Sequence, residues 1–69
     1  MTASRFSFDQ LATAAEREVR FRERVYAHQV QINRMSQAKA DEEIALMKAI
    51  ATHLREQAQR DGLFGSAGQ

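Results

Sequence analysis

Apolar residues recur every three or four positions along the second half of the chain, and this spacing constrains the fold more than any other feature. Residues spaced in this way lie on one side of an α-helix, so the stretch is predicted to form a helix that packs against other helices. The repeat consists of Ala40, Ile44, Met47, Ala51, Leu54 and Ala58. An upstream stretch has the same spacing at Phe8, Ala12, Ala15, Val19, Tyr26 and Val30. The sequence therefore predicts a single all-α domain over residues 1–69, folded as an antiparallel two-helix hairpin.

Capping residues indicate where the first helix begins and where the turn follows it. Ser7 and Gln10 have the spacing of a capping box, which predicts a first helix over about 8–32. Asn33 tolerates the left-handed conformation that ends a helix. Residues 33–36 are therefore predicted to form a short turn.

The second helix is predicted to cover about 37–61, with Ser36 as its N-cap. Gly62 is expected to close this helix, because glycine is the usual residue just past a helix end. Leu63 would then contact the last turn, and 62–69 would form a flexible tail. A turn centred near residues 34 and 35 pairs positions whose numbers add up to about 70.

A second apolar stripe lies to one side of the two core-facing stripes. Its members are Ala14, Phe21, Val25 and Ile32 on the first helix and Leu46 and Ile50 on the second. A single hairpin cannot cover both stripes, and an exposed apolar patch marks an interface. The expected cover is a second copy, giving a homodimer that forms a four-helix bundle. Alternatively, part of the stripe stays open for a different protein.

The residues predicted to bind a partner or to form the dimer interface lie on or beside this second stripe. They are Phe21, Arg24, Val25, His28, Leu46, Ile50 and His53.

Arg22 interrupts the core-facing stripe of the first helix and should face Met47 across the hairpin. Burying a guanidinium without a partner is costly, so its head is expected to reach solvent or to pair with a carboxylate such as Glu18. Alternatively, Arg22 is a partner-facing cation, a buried-charge switch or a register lock for the dimer.

A basic stripe is predicted on the outer side of the first helix. It consists of Arg17, Arg20, Arg24 and His28, partly offset by Glu16 and Glu23. The stripe is either an ordinary solvated face or a surface for phosphates or for an acidic protein patch. Ten basic and nine acidic residues give a net charge of +1, which argues against general nucleic-acid binding.

Composition argues against several other classes of protein. The chain has no cysteine, so no disulfide or cysteine-based zinc site is expected. No apolar run approaches the roughly 20 residues that cross a bilayer, and a soluble protein without a membrane partner is expected. His28 and His53 fall at distant levels of the hairpin, and no nucleophile, base or phosphate loop has a suggestive spacing. We therefore expect neither an enzyme nor a bound metal or cofactor.

Two runs of the sequence carry a family resemblance. The runs Ala15–Arg22 (AEREVRFR) and Arg34–Met47 (RMSQAKADEEIALM), with Val25 and Tyr26 between them, resemble small helical-hairpin proteins of bacteriophages and prophages. The group includes phage anti-quorum-sensing proteins, which are small dimeric anti-activators.

The resemblance implies a protein that acts in the host bacterial cytoplasm. There it would bind the DNA-binding domain of a LuxR-type quorum-sensing activator and keep it off its promoters, with a pilus-assembly ATPase as a second target. No family position is secure enough to be transferred to a residue of this chain. The alternatives are a small helical DNA-binding regulator and a structural or assembly subunit of a phage.

Overall fold

The computed structural model describes residues 5–64, with side chains for 5–62. Helix α1 covers Phe8–Gln31 and helix α2 covers Gln37–Phe64, and the two pack against each other. Within the described range there is no strand. The predicted all-α hairpin is therefore confirmed.

The predicted start of α1 is confirmed by its capping contacts. The Gln10 backbone N–H donates to Ser7 Oγ at 3.0 Å, and the Ser7 backbone N–H donates to Gln10 Oε1 at 2.9 Å. Each bond satisfies a backbone donor that the first turn of a helix leaves free.

The turn between the helices also follows the prediction. Ile32 is the C-cap of α1, and Asn33 adopts a φ of 61° in the left-handed region. The Lys39 backbone N–H donates to Ser36 Oγ at 3.1 Å, as expected of an N-cap.

The predicted end of α2 is wrong. The helix continues through Gly62 to Phe64, and no described glycine has a positive φ. A glycine ends a helix when it turns into the left-handed region, and without that turn it is only a weak interior residue. The proposed contact of the Leu63 side chain and the tail beyond residue 64 lie outside the described residues, as do residues 1–4.

Small residues occupy the centre of the helix pair. The buried apolar residues are Ala12, Ala15, Ala40 and Ala51. The larger members of the core stripes, such as Val19, Tyr26 and Leu54, are only partly buried. Alanine lets two helices approach closely, and the adjacent large side chains then pack around the contact. One hairpin thus buries little apolar surface of its own.

Two ion pairs between the helices establish the register. Glu16 pairs with Arg55 and Glu23 pairs with Lys48, and the residue numbers of each pair add up to 71. This agrees with the predicted antiparallel register. Phe21 therefore lies at the level of Ile50, and Val25 lies at the level of Leu46.

Candidate protein-interaction surface

The hairpin has two broad faces. Ion pairs lie on both of them, including Arg22 with Glu18 and Glu43 on one, but large exposed apolar side chains are concentrated on that same one. Each helix has a line of residues that contacts the other helix. When two antiparallel helices are each viewed from their own N-terminus, residues on the same side of that line (clockwise or anticlockwise of it) lie on the same face of the pair. Glu16, Glu23, Lys48 and Arg55 are rotated in one sense and form a polar face. Phe21, Val25, Leu46 and Ile50 are rotated in the other sense, and we call their side the apolar face.

The apolar face is open to solvent in the single hairpin. Phe21 is 47% exposed, Leu46 is 54% exposed and Ile50 is 43% exposed, while Val25 is partly buried. Large aliphatic and aromatic side chains left at this exposure on one surface favour an interaction site. The structure thus brings together four of the seven predicted interface residues.

The other three predicted interface residues lie around the apolar face. Arg24, His28 and His53 are all exposed. The guanidinium carbon of Arg24 lies 6.0 Å from the centre of the Phe21 ring, which is the outer limit of a cation–π contact. Arg24 is therefore placed next to the apolar face. His28 lies in the last turn of α1, and His53 lies on α2 at the level of residue 18.

Arg22 is paired within the hairpin, which confirms the prediction that it pairs with a carboxylate such as Glu18. Its Nε donates to Glu18 Oε2 at 3.0 Å, and one terminal nitrogen donates to the Glu43 backbone oxygen at 3.3 Å. That nitrogen also lies 3.5 Å from a Glu43 carboxylate oxygen. The bond to Glu18 raises the pKa of Arg22. These contacts join α1 to α2 and leave the guanidinium occupied.

Arg55 forms the most extensive polar cluster, and it was not among the predicted site residues. Its Nε and one terminal nitrogen donate to the two carboxylate oxygens of Glu16, both at 2.9 Å. The other terminal nitrogen donates to Asp9 at 2.7 Å, and Thr13 Oγ1 accepts a further bond at 3.3 Å. The bond from Arg55 lowers the pKa of Glu16, and Arg20 lowers it to a lesser degree. A register near 70 could have indicated the pairing of Glu16 with Arg55.

The ion pairs of the polar face refine one sequence interpretation. Glu16 and Glu23 were expected to offset the basic stripe of α1 in part. Arg20 of that stripe does lower the pKa of Glu16, but the salt bridges of both glutamates are to α2: Glu16 binds Arg55, and Glu23 lies 3.3 Å from Lys48 Nζ. The reason is that both glutamates lie beside α2, where cations of the second helix are within reach.

Neither face has the features of an enclosed chemical site. An open groove of about 490 Å³ runs along the polar face, with Glu16 and Arg55, already paired, among its lining residues. Within residues 5–64 no group of three or more histidine, aspartate or glutamate side chains could hold a metal ion. Neither α1 nor α2 is long and apolar enough to cross a membrane. The surface that most strongly indicates a function is the apolar face.

Comparison of the chain with known protein families, with curated proteins and with solved structures found no match.

Proposed function

We propose that this chain is a phage-encoded inhibitor that acts by binding host proteins. In this proposal it binds the DNA-binding domain of a LuxR-type quorum-sensing activator and blocks DNA binding. A pilus-assembly ATPase is the second host target. The identity of the partners rests on the sequence resemblance described above, and the structure supports the coarser part, a protein-binding surface.

The observation that carries the proposal is the exposure of Phe21, Leu46 and Ile50 on one face. Burial of apolar surface is the main favourable term in most protein association. Aromatic residues and arginine are also enriched in interfaces, and Arg24 lies beside Phe21.

We also propose that two copies pair through part of this face as a four-helix homodimer. Support comes from the small core, because the buried apolar residues of the hairpin are alanines. A domain of this size with so small a core gains stability from self-association. The apolar faces of two copies can cover each other around a two-fold axis and leave the ends of the stripe for a host protein.

Inhibition of this kind requires no chemistry. A helix-turn-helix domain reads DNA by placing one helix in the major groove. A second protein that covers this helix with an apolar surface excludes it from the groove. The activator would then stay folded but would no longer bind its promoter.

The experiment is a gel shift with a LuxR-type activator and its promoter DNA. Tagged protein is first used to recover the activator from a nuclease-treated lysate of the host. Increasing amounts of purified protein should then remove the activator–DNA complex. The variant Phe21→Ala/Leu46→Ala should leave the complex in place. Thr52 is exposed and lines the groove of the polar face, so Thr52→Ala should inhibit like the wild type. An activator that stays on DNA at saturating inhibitor contradicts the proposal.

The same gel shift examines DNA binding as a second candidate function, which the exposed Arg17, Arg20 and Arg24 favour. A DNA-binding regulator would shift the duplex without the activator. Its affinity would fall steeply with salt, because phosphate contacts release counterions. Substitution of the three arginines by glutamine would abolish that shift.

A further inference from the structure

The fold separates the charges of α1 into a paired set and an exposed set. Each acidic side chain of α1 has a partner: Asp9 and Glu16 bind Arg55, Glu18 binds Arg22, and Glu23 binds Lys48. Three arginines of the same helix form no salt bridge within the part of the chain that the structure describes. We call Arg17, Arg20 and Arg24 the arginine ridge.

Arg17 and Arg24 of the arginine ridge point away from α2, whereas Arg20 lies toward the polar face and lines the open groove there. All three side chains are exposed. At a rise of 1.5 Å per residue, Arg17 and Arg24 are separated by about 10 Å along the helix axis. Arg20 also interacts electrostatically with Glu16, but the acidic groups of α1 form their salt bridges with other cations. The three arginines therefore leave a local excess of positive charge on a chain of nearly balanced composition.

The ridge is continuous with the apolar face. Arg24 lies 6.0 Å from the ring centre of Phe21, so one residue of the ridge contacts one residue of the apolar face. Specific interfaces have an apolar centre surrounded by a polar rim. Arg24 and the apolar face have this arrangement along one edge of α1.

We propose that the arginine ridge binds an acidic protein surface that lies next to an apolar patch on the partner. This inference rests on the proposed function only in requiring that the apolar face bind a protein. Carboxylates accept paired hydrogen bonds from guanidinium groups. A nucleic-acid backbone would match the charge of the ridge but would leave uncovered the part of the apolar face that the proposed homodimer does not bury.

The proposal also restricts how a DNA-binding domain can sit on this protein. The DNA-reading surface of such a domain is basic, and like charges placed opposite each other weaken a complex. The ridge would therefore contact an acidic patch beside the recognition helix, while the apolar face covers the helix itself.

The test uses three fluorescent probes and full-length protein, with binding read by anisotropy. The first probe is a short amphipathic helical peptide with a leucine stripe flanked by glutamates. In the second peptide glutamine replaces every glutamate, and the third probe is a duplex DNA of mixed sequence. We expect the acidic peptide to bind at least about tenfold more tightly than the glutamine peptide, with little binding of the DNA.

Two triple variants with the same loss of charge identify the surface. Arg17→Gln/Arg20→Gln/Arg24→Gln should abolish the preference for the acidic peptide. Arg5→Gln/Arg34→Gln/Arg60→Gln, which alters exposed arginines elsewhere, should retain it. Circular dichroism would verify that both variants are helical.

Three outcomes would overturn the inference. They are equal affinity for the two peptides, a preference that survives in the ridge variant, and tighter binding of the DNA than of the acidic peptide. Because none of these measurements includes an activator, they are separate from the gel shift that tests the proposed function.

Discussion

At the scale of single residues, Arg55 makes more side-chain hydrogen bonds between the helices than any other described residue. It joins α2 to three side chains of α1 through four hydrogen bonds. Its bond to Glu16 lowers the pKa of that carboxyl from an ordinary value of 4.5. A carboxyl with a lowered pKa in the folded state stabilises the fold at neutral pH. This stabilisation decreases once the pH falls below the ordinary pKa of glutamate, and it is lost when the pH is below the lowered pKa of the folded state as well.

We predict that Arg55→Met lowers the melting temperature at neutral pH, and that this difference from the wild type narrows as the pH falls below 4.5. The reason is that the wild type loses the ion pair when Glu16 is protonated at low pH, whereas the variant lacks the ion pair at every pH. The measurement is thermal unfolding followed by circular dichroism over a pH series at one protein concentration. Arg60→Met removes an exposed arginine of the same helix and should give a profile parallel to the wild type. Equal pH dependence in wild type and Arg55→Met would contradict the assignment.

At the scale of the helices, Gly62 lies near the end of α2 without terminating it. Gly62 lies inside the helix, and a Cβ added there meets no atom within 4 Å. We predict that Gly62→Ala stabilises the protein by about 0.5–1 kcal/mol, because alanine costs less backbone entropy in a helix. Thermal unfolding measures the change. Ala45→Gly, at an exposed position of α2, should shift stability in the opposite direction. A loss of stability in Gly62→Ala would show that the glycine is needed as a helix terminator.

The turn between α1 and α2 depends on one left-handed residue. Asn33 has a φ of 61°, a conformation that asparagine tolerates and glycine adopts without strain. We predict that Asn33→Gly is close to neutral, whereas Asn33→Val costs about 1–2 kcal/mol. Denaturant unfolding measures both values. Arg34→Val, one residue later and exposed, is the control and should cost less than Asn33→Val.

At the scale of the whole molecule, the open apolar face governs association. We predict that Phe21→Ala or Ile50→Ala weakens dimerisation or partner binding by at least a few-fold, because each removes a large apolar side chain from the face. Sedimentation equilibrium measures dimerisation, and the activator gel shift measures partner binding. Thr52→Ala on the polar face should alter neither quantity. If both variants keep wild-type dimerisation and wild-type inhibition, the face has been misinterpreted.

Local features of the sequence were sufficient for most of the fold. The three- and four-residue spacing, the Ser7–Gln10 box and the tolerance of Asn33 for the left-handed region all act within a few residues. They correctly predicted two helices and the turn. The exposed stripe followed as well, since a helix with two apolar stripes cannot bury both against one neighbour. The end of α2 did not follow, because a glycine is compatible with either continuing or ending a helix.

The charges show what a linear pattern cannot predict. Glu16 is next to Arg17 in sequence, yet it pairs with Arg55, 39 positions away. That choice depends on the rotation of each helix about its axis and on which side chains the packing brings within about 3 Å. The same packing leaves Arg17, Arg20 and Arg24 exposed, with Arg24 next to Phe21 of the apolar face. Helix formation depends on residues close together in the sequence and can therefore be predicted from it. Charge pairing and surface composition are decided only when α1 and α2 pack together.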